Sequence, residues 1–166
     1  MRPLRAGRAW LATVTVTVQM CLLAAASAAP TPAPAPFTGP DLSGVYDCTG
    51  QDRHEGPYTA TATLQLVPTQ STGRFGAYLF TLDVPGYGSY PGHASVRGTH
   101  AAIYFALTDP STKDFGTGIA EFKRQAQGKA QGKAQGKAQG KWTFDKHYFE
   151  PEFKGGNFGD EHCVQR

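Results

Sequence analysis

The chain has little of what usually marks an enzyme. It contains no Gly-x-Ser-x-Gly elbow for a nucleophilic serine, no glycine-rich loop to cradle phosphates and no dinucleotide fingerprint. His54-Glu55 opens like a zinc-protease helix, but Gly56-Pro57 follow and no histidine stands four residues after His54. The other histidines, His93, His100, His147 and His162, have no ligand-like spacing. No metal or other cofactor is expected, and catalysis is the minority reading. Its best case is Glu150 and Glu152, which at a spacing of two would share a strand face as surface carboxylates of a glycoside hydrolase. An amphipathic helical stripe is missing too, which argues against a helical fold.

Cysteine and unbalanced charge are equally scarce. Of three cysteines, Cys21 lies in an N-terminal segment that carries Arg2, Arg5 and Arg8 and no acid in its first eight residues. An apolar run follows and ends in Ala26-Ser27-Ala28, a small-x-small cleavage site. Residues 1–28 therefore read as a secretory signal peptide. The run is too short, and too interrupted by Thr13, Thr15, Thr17 and Gln19, for a membrane anchor. Export to the periplasm or the medium of a bacterium is expected, without membrane anchoring. The 16 basic and 13 acidic residues become thirteen of each once the leader arginines are gone. A neutral domain lacks the electrostatic footprint of a nucleic-acid or anionic-membrane binder. Cys48 and Cys163 remain, and in an oxidising compartment two cysteines read as one disulfide. That pairing removes a thiol nucleophile and places the two ends of the fold side by side.

What the chain does have is a period of two. A Pro/Ala-rich stretch, residues 29–40, reads as an extended linker, and residues 41–166 are enough for one core. Within them Tyr58, Ala60, Ala62, Leu64 and Leu66 alternate with Thr59, Thr61, Thr63 and Gln65. Further strands are expected over 44–48, 75–82, 93–96, 100–107, 118–123 and 142–149, and around Cys163, separated by Pro/Gly/Ser/Asn breakers. About eight short strands whose ends must meet predict an all-β fold, a small closed or nearly closed antiparallel barrel with one disulfide. Residues 126–141 are Ala-Gln-Gly-Lys four times over. A glycine every fourth residue opposes a helix, so this is expected as a tandem-repeat insertion at a hairpin tip, where extra loop length costs little.

Two aromatic segments are the candidate binding elements. The stretch 83–93 reads as a long loop offering Tyr87, Tyr90 and His93; the stretch 148–158 offers Phe149, Phe153 and Phe158. Tyrosines in loops give large contact area with polar tips. The rival interpretation is that these rings only plug the barrel ends.

Leu42-Ser43-Gly44-Val45-Tyr46 resembles the Gly-x-Trp start of lipocalins and avidins, with Tyr46 in place of Trp. Tyr46-Asp47-Cys48 with Cys163 resembles the small periplasmic barrels that inhibit c-type lysozymes. Gly44–Cys48, Glu55–Tyr58 and Phe153–Phe158 together are similar to uncharacterised exported bacterial proteins. The calycin-like resemblance implies a monomeric barrel holding an apolar small molecule, in a cup lined by residues such as Ala60, Ala62, Leu64 and Phe105. The inhibitor resemblance implies instead a module that binds an extracytoplasmic protein, such as a cell-wall hydrolase, through Tyr87 and Tyr90.

Overall fold

The computed structural model describes residues 33–125 and 140–166. The leader assigned to residues 1–28, and most of the Ala-Gln-Gly-Lys repeat, lie outside the described residues. Eight strands run in order: β1 (Gly44–Asp52), β2 (Gly56–Leu66), β3 (Phe75–Val84), β4 (Gly88–Arg97), β5 (His100–Ala106), β6 (Phe115–Arg124), β7 (Trp142–Glu150) and β8 (Asn157–Gln165). Each pairs antiparallel with the next, and β1 also pairs with β8, so the sheet closes into an up-and-down barrel. Closure leaves no unpaired edge, which satisfies the backbone donors and acceptors all the way round. Cys48 and Cys163 stand opposite each other across that β1–β8 seam, both buried, and are joined as a disulfide.

Sequence alternation becomes inside and outside. On β2, Ala60, Ala62 and Leu64 are buried while Thr59 and Gln65 are exposed. Small inward residues on β2, β4 and β6 leave room for the large inward rings of β3, β5 and β7. Tyr46, Phe122 and Phe144 pack edge-on or tilted, with centroids 4.8–6.2 Å apart.

The two ends of the barrel differ. At one end, which carries the β2–β3 loop and the start of β1, the incoming chain forms a lid. Leu42 is fully buried, its N–H donates to Tyr78 Oη at 3.2 Å, and Tyr46 Oη donates to the Leu42 carbonyl at 2.7 Å. Trp142 Nε1 donates to the Asp41 carbonyl. Upstream, Gly73 N–H donates to the Ala35 and Pro36 carbonyls, so the chain is held against the barrel well before Asp41. At the other end the β1–β2, β3–β4, β5–β6 and β7–β8 connections meet, and Glu55 ties three of them by accepting from Tyr87 Oη and Lys154 Nζ.

One expected loop is not a loop. β3 continues to Val84 and β4 begins at Gly88, leaving only Pro85-Gly86-Tyr87 as the turn. Gly86 (φ +84°) and Gly88 (φ +144°) adopt the backbone angles that reverse the chain so sharply. Tyr90, two residues into β4, is thereby turned inward and buried.

Candidate functional site

The open end is polar inside. Period-two alternation carries Cys48 inward, and with it Asp52, four residues on at the end of β1. On β7 the inward series is Phe144, Lys146, Tyr148 and Glu150; on β8 it is Asn157, Gly159, Glu161 and Cys163. Asp114, just ahead of β6, and Tyr58 and Tyr90 complete a ring around a cavity of about 60 Å³. At the roughly 30 Å³ a water takes up in the liquid, that is room for about two water-sized groups. Glu55, Tyr87, Asp114 and Phe153 come to its wall from four different connections.

Its floor is an ion pair. Lys146 Nζ lies 2.8 Å from Glu161 Oε2, with both side chains sealed from solvent. The contact is close, but its angles are not those of a hydrogen bond, so neither atom has a hydrogen-bond partner. Glu161 Oε1 accepts from Tyr58 Oη, and the ammonium sits 5.0–5.3 Å from the ring centres of Phe80, Phe105 and Tyr148. Those rings supply part of the solvation that burial removes.

Above the floor three acids share one polar cluster. Asp52 Oδ2 accepts from Tyr148 Oη at 2.6 Å and Asn157 Nδ2 at 2.7 Å. Its Oδ1 accepts the backbone N–H groups of His54 and Glu55 at 2.7 and 2.8 Å. Burial alone would raise this carboxyl's pKa, but the four hydrogen bonds outweigh it and hold the group below the usual range. Glu150 is the opposite case. Burial first, then the charges of Asp114 and Asp52, push it up to about 7 against the pull of Asn157 and Lys146. Asp114 is also raised, by burial and then by Asp52, although Tyr90 Oη donates to its Oδ2 at 2.9 Å. Burial foremost raises the phenols of Tyr58, Tyr90 and Tyr148, keeping them as neutral donors. Every lone pair of Asp52 is already engaged by its four donors.

The six aromatic and histidine candidates divide evenly. Tyr87, Tyr90 and Phe153 border the cavity. His93, Phe149 and Phe158 are exposed on the outer wall. There the register runs His93–Tyr104–Thr117–Phe149–Phe158 across β4 to β8, a row of outward rings. Glu150 and Glu152 do not share a face. β7 ends at Glu150, which points in, whereas Glu152 is exposed and pairs with Lys113 at 3.0 Å. His147 and His162 each pair across the β7–β8 ladder with an aspartate, Asp160 and Asp145, on the outside. Among the described residues, the one set of three metal-type ligands that converges is Cys48, Cys163 and Glu161, and its cysteines are spent in the disulfide.

Sequence reasoning did not identify Asp52, Asp114, Lys146, Asn157 or Glu161. No protein-family model, curated protein or solved structure matches the chain.

Proposed function

We propose that this is an exported, non-enzymatic binding protein that takes a small polar molecule into the open end of its barrel. The observation that carries this is the cavity of about 60 Å³ at that end, walled by the rings of Tyr58, Tyr90, Phe105 and Tyr148 and by the buried acids Asp52, Asp114 and Glu150. Buried polar groups are costly unless satisfied, and apolar side chains would fill a barrel end more stably. A cluster kept at that cost beside a cavity, at the end away from the Leu42 lid, supports a ligand-binding role.

The lining decides the ligand's character. Of the residues expected to form an apolar cup, Phe105 borders the cavity, whereas Ala60, Ala62 and Leu64 belong to the packed interior. A ligand of a few heavy atoms that meets the acids with a polar group and Leu82, Val84, Phe105 and Phe153 with an apolar side fits this wall. The test is a two-dimensional amide NMR titration with a panel of small polar molecules. The His54 and Glu55 amides, which bond Asp52, should shift saturably with at least one of them. A panel that leaves both amides unmoved would defeat the proposal.

The second reading, a module that binds an extracytoplasmic protein, has its own support. Tyr104, Phe149 and Phe158 are 44–50% exposed in one row of the outer wall, and exposed aromatic rings are the side chains a protein partner uses most. Tyr87 remains available to such a partner at the rim, but Tyr90 does not. Asp114→Asn should matter only to a pocket ligand, and Phe149→Ser only to a surface partner.

A further inference from the structure

The polar groups of the open end form a chain of side-chain hydrogen bonds that runs from β4 round to β1. Tyr90 Oη donates to Asp114 Oδ2 at 2.9 Å, Asn157 Nδ2 donates both to Glu150 Oε2 and to Asp52 Oδ2, and Tyr148 Oη donates to Asp52 Oδ2. Each of these links has a hydroxyl or amide donor. The link between Asp114 and Glu150 does not, because it joins two carboxyl groups. Glu150 reaches Asp114 across the bare backbone of Gly116, where a Cβ would come within 2.9 Å of Glu150 Cγ.

That link needs a proton. Asp114 Oδ1 is enclosed and receives no donor as long as Glu150 is ionised. A carboxylic acid donates to a carboxylate, whereas two carboxylates side by side repel. Ionisable groups surround the pair: Asp52 from β1, Lys146 from β7, and the phenols of Tyr90 from β4 and Tyr148 from β7. Glu161 of β8 and Tyr58 of β2 lie beyond them at the cavity floor. Burial, then Asp114 and Asp52, push Glu150 up to about 7, so the link is made in mildly acidic solution and broken in mildly alkaline solution. It fastens the β5–β6 connection, residues 107–114, to the end of β7. An exposed ion pair, Lys113 to Glu152 at 3.0 Å, also joins this connection to the β7–β8 connection, and such pairs hold weakly.

We propose that the Glu150–Asp114 link is a proton-operated latch on the cavity. With the proton in place the β5–β6 connection is held shut; when the proton leaves to solvent, the connection comes away from β7 and the cavity opens.

The experiment is amide hydrogen exchange at pH 6 and pH 8, expressed as protection factors so that the intrinsic pH dependence of exchange drops out. The reporter is the Leu107 amide, which donates to the Asp114 carbonyl at 2.7 Å. The reference is the Phe122 amide, which donates to the Thr99 carbonyl at the closed end. Leu107 should be the less protected of the two at both pH values. Its protection should fall about tenfold from pH 6 to pH 8, the change expected when a group that titrates at about 7 in the closed form and at 4.5 in the open one loses its proton. Glu150→Gln, whose amide donates to Asp114 at any pH, should keep at pH 8 the protection it has at pH 6. Asp114→Asn, which supplies the donor from the other side, should do the same. The melting temperature of each variant shows that it has folded. Equal protection at Leu107 and Phe122 would mean that this end opens only with the whole barrel, and would overturn the latch. Protection at Leu107 that ignores pH in the parent, or that falls as far in both variants, would overturn it too. None of these outcomes depends on a bound ligand, so the latch and the binding reading fail separately.

Discussion

Lys146 shows at the scale of one residue how this interior is held together. Its ammonium is fully enclosed, with one carboxylate at 2.8 Å and three rings around it. Removing one partner of such a pair strands the other charge in a medium that cannot solvate it. Lys146→Met should therefore cost about 3–5 kcal/mol in urea unfolding. Adding Glu161→Gln should restore most of that, and a double variant no better than the single one would show that the pair is not coupled. Glu150 makes a prediction about pH. Four side chains face it: Asp52 from β1, Asp114 from the β5–β6 connection, Lys146 from its own strand and Asn157 from β8. With its pKa raised from 4.5 to about 7 on folding, the folded state holds its proton more tightly. That contribution is complete below the unfolded pKa and is lost as pH rises through about 7. Asp52, depressed on folding, contributes above its unfolded pKa and loses that as pH falls through its folded value. Stability should thus peak in mildly acidic solution. Glu150→Gln should flatten the decline toward pH 8, leaving the variant more stable there than the parent by on the order of 2 kcal/mol. A thermal-melt series from pH 4 to 8 on both proteins checks it.

At the scale of the strand, position two by two decides what can sit where. Gly159 lies inward on β8 between Asn157 and Glu161, and a Cβ there would come within 2.4 Å of Tyr148 Oη and 2.6 Å of the Gln51 carbonyl. Gly159→Ala should lift Tyr148 off Asp52 and lower stability by about 1–3 kcal/mol. An alanine variant with an unchanged melting temperature would mean that β8 can move. The same parity explains what could be read from the residues alone. Tyr58 to Leu66 declares a half-buried strand because apolar and hydroxyl side chains alternate without a break, and the breakers set the number of strands. The charged interior was hidden because charge normally marks the outside face, and β7 has rings on both faces, Phe144 and Tyr148 inward and Phe149 outward. A usable signal did exist. If the two cysteines are taken as buried, counting by twos from Cys163 reaches Glu161 and Asn157, and from Cys48 reaches Asp52. Asp114 lies outside any strand, and nothing in the local pattern marks it. The disulfide itself closes the β1–β8 seam. Reducing it, or replacing Cys163 by Ser, should cost up to about 4–5 kcal/mol in the chain-entropy account, and an unaltered denaturation midpoint would mean the ladder closes the barrel unaided.

At the scale of the whole molecule the two ends of the barrel differ in character. Its closed end is sealed by Leu42, Tyr46, Tyr78 and Trp142, and its open end holds the acids and tyrosines. In an up-and-down barrel, alternate connections fall at opposite ends. Because the β1–β2 and β7–β8 connections border the cavity, the β6–β7 connection must lie at the far end. The base of that hairpin is well formed: Arg124 pairs with Trp142, and Gln125 N–H donates to the Lys141 carbonyl at 2.9 Å. Most of the Ala-Gln-Gly-Lys copies fall within this hairpin in sequence and lie outside the described residues; the base itself is at the end away from the cavity. Two consequences can be separated by one deletion. Trimming the repeat to a single copy shortens a loop, and closure entropy changes by only about 0.6 kcal/mol per halving of length, so stability should rise slightly or stay level. Ligand response at the open end should not change at all, because no lining residue is touched. A melting curve and the amide titration on the trimmed protein measure both. A large drop in stability would show that the repeat packs on the barrel. Loss of the titration with stability intact would mean that the two ends communicate through the ladder, and the cavity could no longer be treated as a site built by its own four connections.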